Sequence, residues 1–319
     1  MLLAKLLFAA AAIYWMSHKT DFWKVWAGIR NAHPLPVVLG ILLGTISVAI
    51  AGWRWHRWLA ILDIEIPLIS LICIAQIGQF FLMFLPGPMG DDLTRMLYIS
   101  RLTKDRTPEA CTTVVLDRFV GLASVLLLAL LCIPGQWSLL AARRQTHWLA
   151  MAMVAAGALI LTMGLAFFLT DSRRTRGMLD AWLQRLPASM LTAHLREMTG
   201  RFCASKAAIA QIAGAAFGTQ FLSCVLYYLA GTATGVEAPL SVWLSFVPVV
   251  LMASALPISV AGFGFREYLL ILFLGVFAHV DKERALAASF VAFSMILAVC
   301  LLGGVMYVFY KPSRSETSL

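Results

Sequence analysis

Charge is scarce in this sequence. Asp, Glu, Lys and Arg make up 13% of 319 residues, against about 25% in an ordinary globular domain. So few charges cannot cover a water-facing surface, which excludes a soluble enzyme, and the apolar content excludes a disordered chain. Paired cysteines are missing too. Cys73, Cys111, Cys132, Cys203, Cys224 and Cys300 stand singly, mostly within apolar runs, so neither a zinc site nor a disulfide framework is supported. The six histidines do not pair at metal-ligand spacing, and GxxxxGK[ST], HExxH and GxSxG are absent. No catalytic residue, metal or cofactor is assigned.

What the chain has in abundance is apolar length. Apolar residues make up 61% of it and the mean hydropathy is +0.84. The expected fold is therefore an all-α polytopic membrane protein, a single transmembrane domain over 1–319. A spanning helix needs about 20 apolar residues. Stretches 35–53, 111–134, 147–170, 207–234 and 286–310 meet that length. The run Met1–Met16 reads as an uncleaved first helix, because bulky Tyr14 and Trp15 occupy the place of a small-residue cleavage site. Together these give about six full spans. Two segments show helical periodicity without spanning length. Phe22, Val25, Trp26 and Ile29 share one face in 20–31, and Leu179, Trp182, Leu183, Leu186, Met190 and Leu191 share one in 176–200. Both read as interfacial helices, and 171–206 as a cytoplasmic amphipathic segment.

The net charge of +9 fits basic cytoplasmic loops facing anionic headgroups, with no nucleic acid implied. Segments 68–86 and 239–258 are apolar but run into Pro/Gly-rich stretches. If each begins a hairpin that returns to its own side, sixteen Lys and Arg fall on one side and seven on the other, with Arg118 and Arg266 inside the membrane. That bias places both termini in the cytoplasm.

The two broken segments resemble one another. The first reads Leu85-Pro86-Gly87-Pro88-Met89-Gly90-Asp91-Asp92-Leu93-Thr94-Arg95. The second reads Leu256-Pro257-Ile258-Ser259-Val260-Ala261-Gly262-Phe263-Gly264-Phe265-Arg266-Glu267. Each places Leu-Pro after an apolar run, then a glycine turn, an Arg nine residues after the Pro, and a second apolar helix. Hairpins are expected over 68–106 and 239–280, entering from opposite sides as an inverted repeat. Interrupted helices in the two halves of a transporter point to a site near the bilayer midplane, because their freed backbone groups must line a polar cavity. The plainer alternative is a pair of loops between ordinary spans.

Asp117-Arg118 is the second anomaly, two charges inside an apolar run. Each costs about 2.5–3.5 kcal/mol at a helix centre. Neighbouring helical residues point about 100° apart, so each needs other partners. Arg95 or Arg266 would suit Asp117; Asp91, Asp92 or a bound anion would suit Arg118. Gly40-x-x-x-Gly44, Gly214-x-x-x-Gly218 and Gly231-x-x-x-Gly235 allow close helix packing, within the chain or in a homodimer.

These same motifs resemble the lysylphosphatidylglycerol synthase transmembrane-region family, which includes the flippase domain of multiple-peptide-resistance factors and stand-alone inner-membrane proteins. Its PG…GD…R segment falls on Pro86, Gly87, Gly90, Asp91 and Arg95. Its DR-x-x-G-L helix falls on Asp117, Arg118, Gly121 and Leu122. Its P-x-S-x-x-G-x-G-x-RE segment falls on Pro257, Ser259, Gly262, Gly264, Arg266 and Glu267. The resemblance implies a flippase-like lipid translocator and no lysyl transfer, since the chain ends nine residues after Tyr310. The expected substrate is an anionic phospholipid or a polyprenyl-phosphate-linked precursor. Arg95, Arg118 and Arg266 are expected to bind its phosphate, held by Asp91, Asp117 and Glu267, with Ser259 beside them. Pro86, Gly87, Gly90, Pro257, Gly262 and Gly264 would be hinges. The competing readings are a non-transporting scaffold for a lipid-modifying enzyme and an integral-membrane transferase acting on a lipid phosphate.

Overall fold

The computed structural model describes residues 22–85, 89–103, 106–137, 144–169, 177, 201–255 and 265–310. Run 1–16, most of 171–206, and Pro86, Gly87, Pro257, Ser259, Gly262 and Gly264 lie outside them. Every regular element among the described residues is helical: α1 Phe22–Arg30, α2 Pro34–Ile61, α3 Leu68–Phe81, α4 Met89–Leu102, α5 Thr107–Cys132, α6 Arg144–Leu169, α7 Lys206–Ala233, α8 Leu240–Ala255, α9 Phe265–Phe277 and α10 Lys282–Phe309. A 3-10 turn, Ile133–Gln136, prolongs α5.

Four of these helices, α2, α5 with its extension, α7 and α10, are long and apolar enough to cross a membrane. At 28 residues each, α2, α7 and α10 reach about 42 Å, more than the roughly 30 Å hydrocarbon layer. Helix α6 covers the expected 147–170 span, with an apolar stretch at Met151–Ala166. This is a multi-pass membrane protein, and its exposed Leu39, Leu42, Phe119, Leu159 and Val305 are what a lipid-facing surface requires.

Two pairs of shorter helices complete the bundle. Helices α3 and α4, 14 residues each, are about 21 Å long and cannot cross alone. They run antiparallel at close range. An added Cβ on Gly78 would meet the Asp91 carboxylate, and one on Gly90 would meet the Phe81 carbonyl, so glycine sets this approach. The outer ends of the pair lie together, since Arg106 donates to the carbonyls of Leu62 (2.7 Å) and Asp63 (3.2 Å). Helices α8 and α9 form the second pair, with Phe246 stacked on Phe273 and Phe277. Their outer ends adjoin the other end of the bundle, where the His33 amide bonds the Ala233 carbonyl (2.9 Å).

The larger core packs α7, α8, α9 and α10 around Trp243, Phe246 and Phe273; a second core, around Trp55, Leu59 and Ile74, seats α3 and α4 against α2 and α5. Glycines close several seams: Gly40 and Gly44 against Met295 and Val299, Gly231 against Trp243. An added Cβ on Gly214 or Gly218 would touch nothing. Helix α1 differs from its expected face. Val25 and Ile29 pack on Leu286 and Ala287 of α10, whereas Trp26 is 52% exposed. The i, i+4 pair makes the seam, and Trp26, 100° around, turns out beside exposed Trp23. Tryptophan favours the headgroup level, which suits both rings.

Candidate functional site: a buried ion network beside a cavity

Apolar helices bring ionised side chains inward only where partners wait, because an unpaired charge away from water is very costly. Six such side chains converge from α2, α4 and α5. Arg54 grips Asp117 with two bonds, Nε to Oδ1 at 2.6 Å and Nη2 to Oδ2 at 2.8 Å. This fork matches the carboxylate plane and is among the stronger hydrogen-bonded pairs. Arg95 donates Nε to Asp91 Oδ1 (2.8 Å) and Nη1 to Asp117 Oδ2 (3.4 Å). Arg118 donates Nε to Asp92 Oδ1 (2.6 Å) and Nη2 to Asp91 Oδ2 (3.0 Å). Three arginines and three carboxylates thus form one connected, balanced set.

Local structure fixes each member. Arg95 sits one turn after Asp91 on α4, so the two meet along one helix face. Asp91 and Asp92 lie in the first turn of α4, where the helix dipole favours negative charge. The Trp55 ring lies under the Arg95 guanidinium (5.5 Å), and its own Nε1 donates to Thr113 Oγ1 at 3.0 Å. Arg54 also reaches Thr219 Oγ1 of α7, at 3.4 Å.

Exposure divides the set. The Arg54 and Asp117 side chains are 8% and 7% exposed; those of Arg118 and Asp92 are 37% and 23%. Arg118 opens onto a cavity of about 360 Å³ that Asp92 does not line, a size within the usual range of ligand sites. Arg54, Asp91, Arg95, Asp117 and Arg118 line it together with Gln79 of α3, Gly121 of α5, Thr219, Gln220 and Ser223 of α7, and Leu251 and Met252 of α8. It therefore lies between the first helix pair and the inner end of α8. A smaller cavity of about 130 Å³ shares Ser47, Val48, Gln79 and Ser223 and is otherwise mostly apolar, lined by Leu222, Leu226, Ile296 and Val299.

Of the residues singled out in the sequence, Asp91, Arg95, Asp117 and Arg118 come together here, and Gly90 lies just before Asp91. Arg266 and Glu267 do not line this cavity. They pair with each other, Arg266 Nη2 to Oε1 at 2.5 Å and Nε to the same oxygen at 3.0 Å. Ser289 also donates to that oxygen (3.2 Å), and the guanidinium lies over the Phe293 ring. Arg54 is the member that sequence reasoning missed, having counted it with Arg95 among the basic residues of one membrane side. The expected span stops at Trp53, but α2 continues to Ile61, so Arg54 sits seven residues, about 10 Å, inside the helix end. Moving both arginines inside leaves fourteen basic residues against seven, the same bias. No group of metal-ligating residues is found among those described.

Residues 2–304 match the family model of the lysylphosphatidylglycerol synthase TM region. The chain belongs to this family. No individual curated protein matches it. A member of the lysylphosphatidylglycerol synthase TM region thus carries, between α2, α4 and α5, an ion-paired network beside a cavity.

Proposed function

We propose that the protein moves a lipid with a phosphate-bearing headgroup between the leaflets of a bacterial inner membrane, with both termini in the cytoplasm. The observation that carries this is the cavity itself: polar, inside a helical bundle, with the Arg118 guanidinium at its wall. Guanidinium matches phosphate oxygens and stays charged when desolvated. Family membership supports lipid handling in general. Arg118 binds the phosphate; Arg54 and Arg95, held by Asp117 and Asp91, set the field around it. Arg266, with Glu267, secures the α9 limb. The lipid tail stays among the hydrocarbon chains while the headgroup crosses.

The deciding measurement uses reconstituted vesicles carrying headgroup-labelled phosphatidylglycerol and a reagent that cannot cross the bilayer. Wild-type protein should expose inner-leaflet label. Gly121→Leu should reduce this to background, because a Cβ at Gly121 meets no neighbour within 4 Å and a larger side chain there takes up space in the cavity that Gly121 lines. Equal rates in both proteins would remove the cavity from the transport path. Chemically altered lipid would instead support a transferase.

In this reading α3–α4 and α8–α9 are two re-entrant hairpins of inverted orientation beside about six full spans. The supporting geometry is their short limbs and their attachment at opposite ends of the bundle. In a background without native cysteines, Phe84→Cys and Ser259→Cys should react with an impermeant thiol reagent from opposite sides. Labelling of both from one side would defeat the inverted arrangement.

A further inference from the structure

The ion network beside the cavity is electrically neutral as it stands, Asp92 being counted through its bond to Arg118, and that limits what can bind. Arg54, Arg95 and Arg118 are matched by Asp91, Asp92 and Asp117. The segments joining the paired short helices, 86–88 and 256–264, carry no ionisable residue, so they add no charge. A phosphate diester brings one negative charge into this set. Unbalanced charge in a low-dielectric interior is removed by protonation before it is tolerated.

We propose that this site takes up an anionic lipid phosphate together with one proton, which lands on Asp92. The inference rests on the translocator reading and adds its coupling ion. Asp92 is singled out by geometry. Both oxygens of Asp117 are held, by Arg54 and Arg95, and both of Asp91, by Arg95 and Arg118. Asp92 accepts from Arg118 through Oδ1, and it is the most exposed carboxylate of the three. The charged groups bearing on it are Arg118 of α5 and Asp91 and Arg95 of its own helix; α3, which also packs on α4, contributes none.

The exchange balances. The Arg118–Asp92 ion pair opens, a proton from water binds the Asp92 carboxylate, and the diester takes its place on the Arg118 guanidinium. The set then holds three arginines, two carboxylates and one phosphate, and is again neutral. Release on the far side returns the proton, so lipid and proton travel together, and a proton gradient drives an anionic lipid.

Dihexanoyl phosphatidylglycerol tests this with the full-length protein in detergent, because the diester keeps its single charge across the pH range used. Calorimetric titration in two buffers of different ionisation enthalpy counts the protons. About one proton should be taken up per lipid, and the affinity should fall about tenfold per pH unit above the Asp92 pKa. Asp92→Asn should bind with no proton uptake and with an affinity that no longer follows pH. Wild-type binding without proton uptake, or an affinity that follows sodium at constant ionic strength, overturns the coupling and leaves the translocator reading standing. Absence of any lipid binding by a folded wild-type protein overturns both.

Discussion

Asp117→Leu should destabilise the protein by about 5 kcal/mol, Arg54→Met by about 3 kcal/mol, and the Arg54→Met/Asp117→Leu double variant by much less than either. Breaking a buried pair strands the surviving charge, whereas replacing both partners by apolar residues of similar size strands nothing. The order follows from the bonds. Asp117 serves two guanidiniums, Arg54 through two bonds and Arg95 through one, so its loss leaves both under-neutralised. Loss of Arg54 leaves Asp117 still within 3.4 Å of Arg95, which softens the effect. The double variant keeps Arg95 with Asp91 and Arg118 with Asp92, so the remaining network stays neutral. Thermal unfolding of the purified variants in detergent provides the comparison. Additive losses in the double variant would show that the pair does not act as a buried unit.

How far this site could be read from the sequence depended on where each charge stood relative to an apolar run. Asp117 and Arg118 lie within one, so their cost was visible, and the need for partners on other helices followed. Arg54 stands in Trp53-Arg54-Trp55-His56-Arg57-Trp58, a composition that resembles the aromatic and basic girdle at a membrane surface. Only the continuation of α2 to Ile61 carries it inward. The four long apolar helices were legible because hydropathy and length alone decide them. Helix α1 was legible as a helix, but not in its orientation, since the face that packs is chosen by α10. Arg266 and Glu267 mark the limit of reasoning from the 100° step. Asp117 and Arg118 reach apart to different partners, whereas Arg266 and Glu267, both long and flexible, fold onto each other. Whether neighbours on a helix pair depends on what surrounds them, and here Ser289 and Phe293 hold the second pair in place.

Arg118→Leu should behave in the opposite way to the Arg54 and Asp117 variants: a small loss of stability and a large loss of transport. Its ion pairs involve a side chain 37% exposed, so their contribution to folding is screened and is about 1 kcal/mol or less. Asp91 keeps its bond to Arg95 after the substitution, and Asp92 faces enough space to be hydrated or protonated. The guanidinium's worth to a bound phosphate is larger, because a truncated charge contact in a desolvated site costs about 2–5 kcal/mol. That corresponds to roughly a 30-fold or greater fall in affinity for short-chain phosphatidylglycerol, with translocation in vesicles falling in parallel. Arg118→Lys should lie between, retaining the charge but losing the planar fork that holds two oxygens at once. Melting curves and transport rates measured on one set of preparations separate the two functions of the network. Transport by Arg118→Leu at the wild-type rate would remove the guanidinium from the headgroup path. The same loss in Arg118→Lys and Arg118→Leu would show that the fork, rather than the charge alone, is what the phosphate requires.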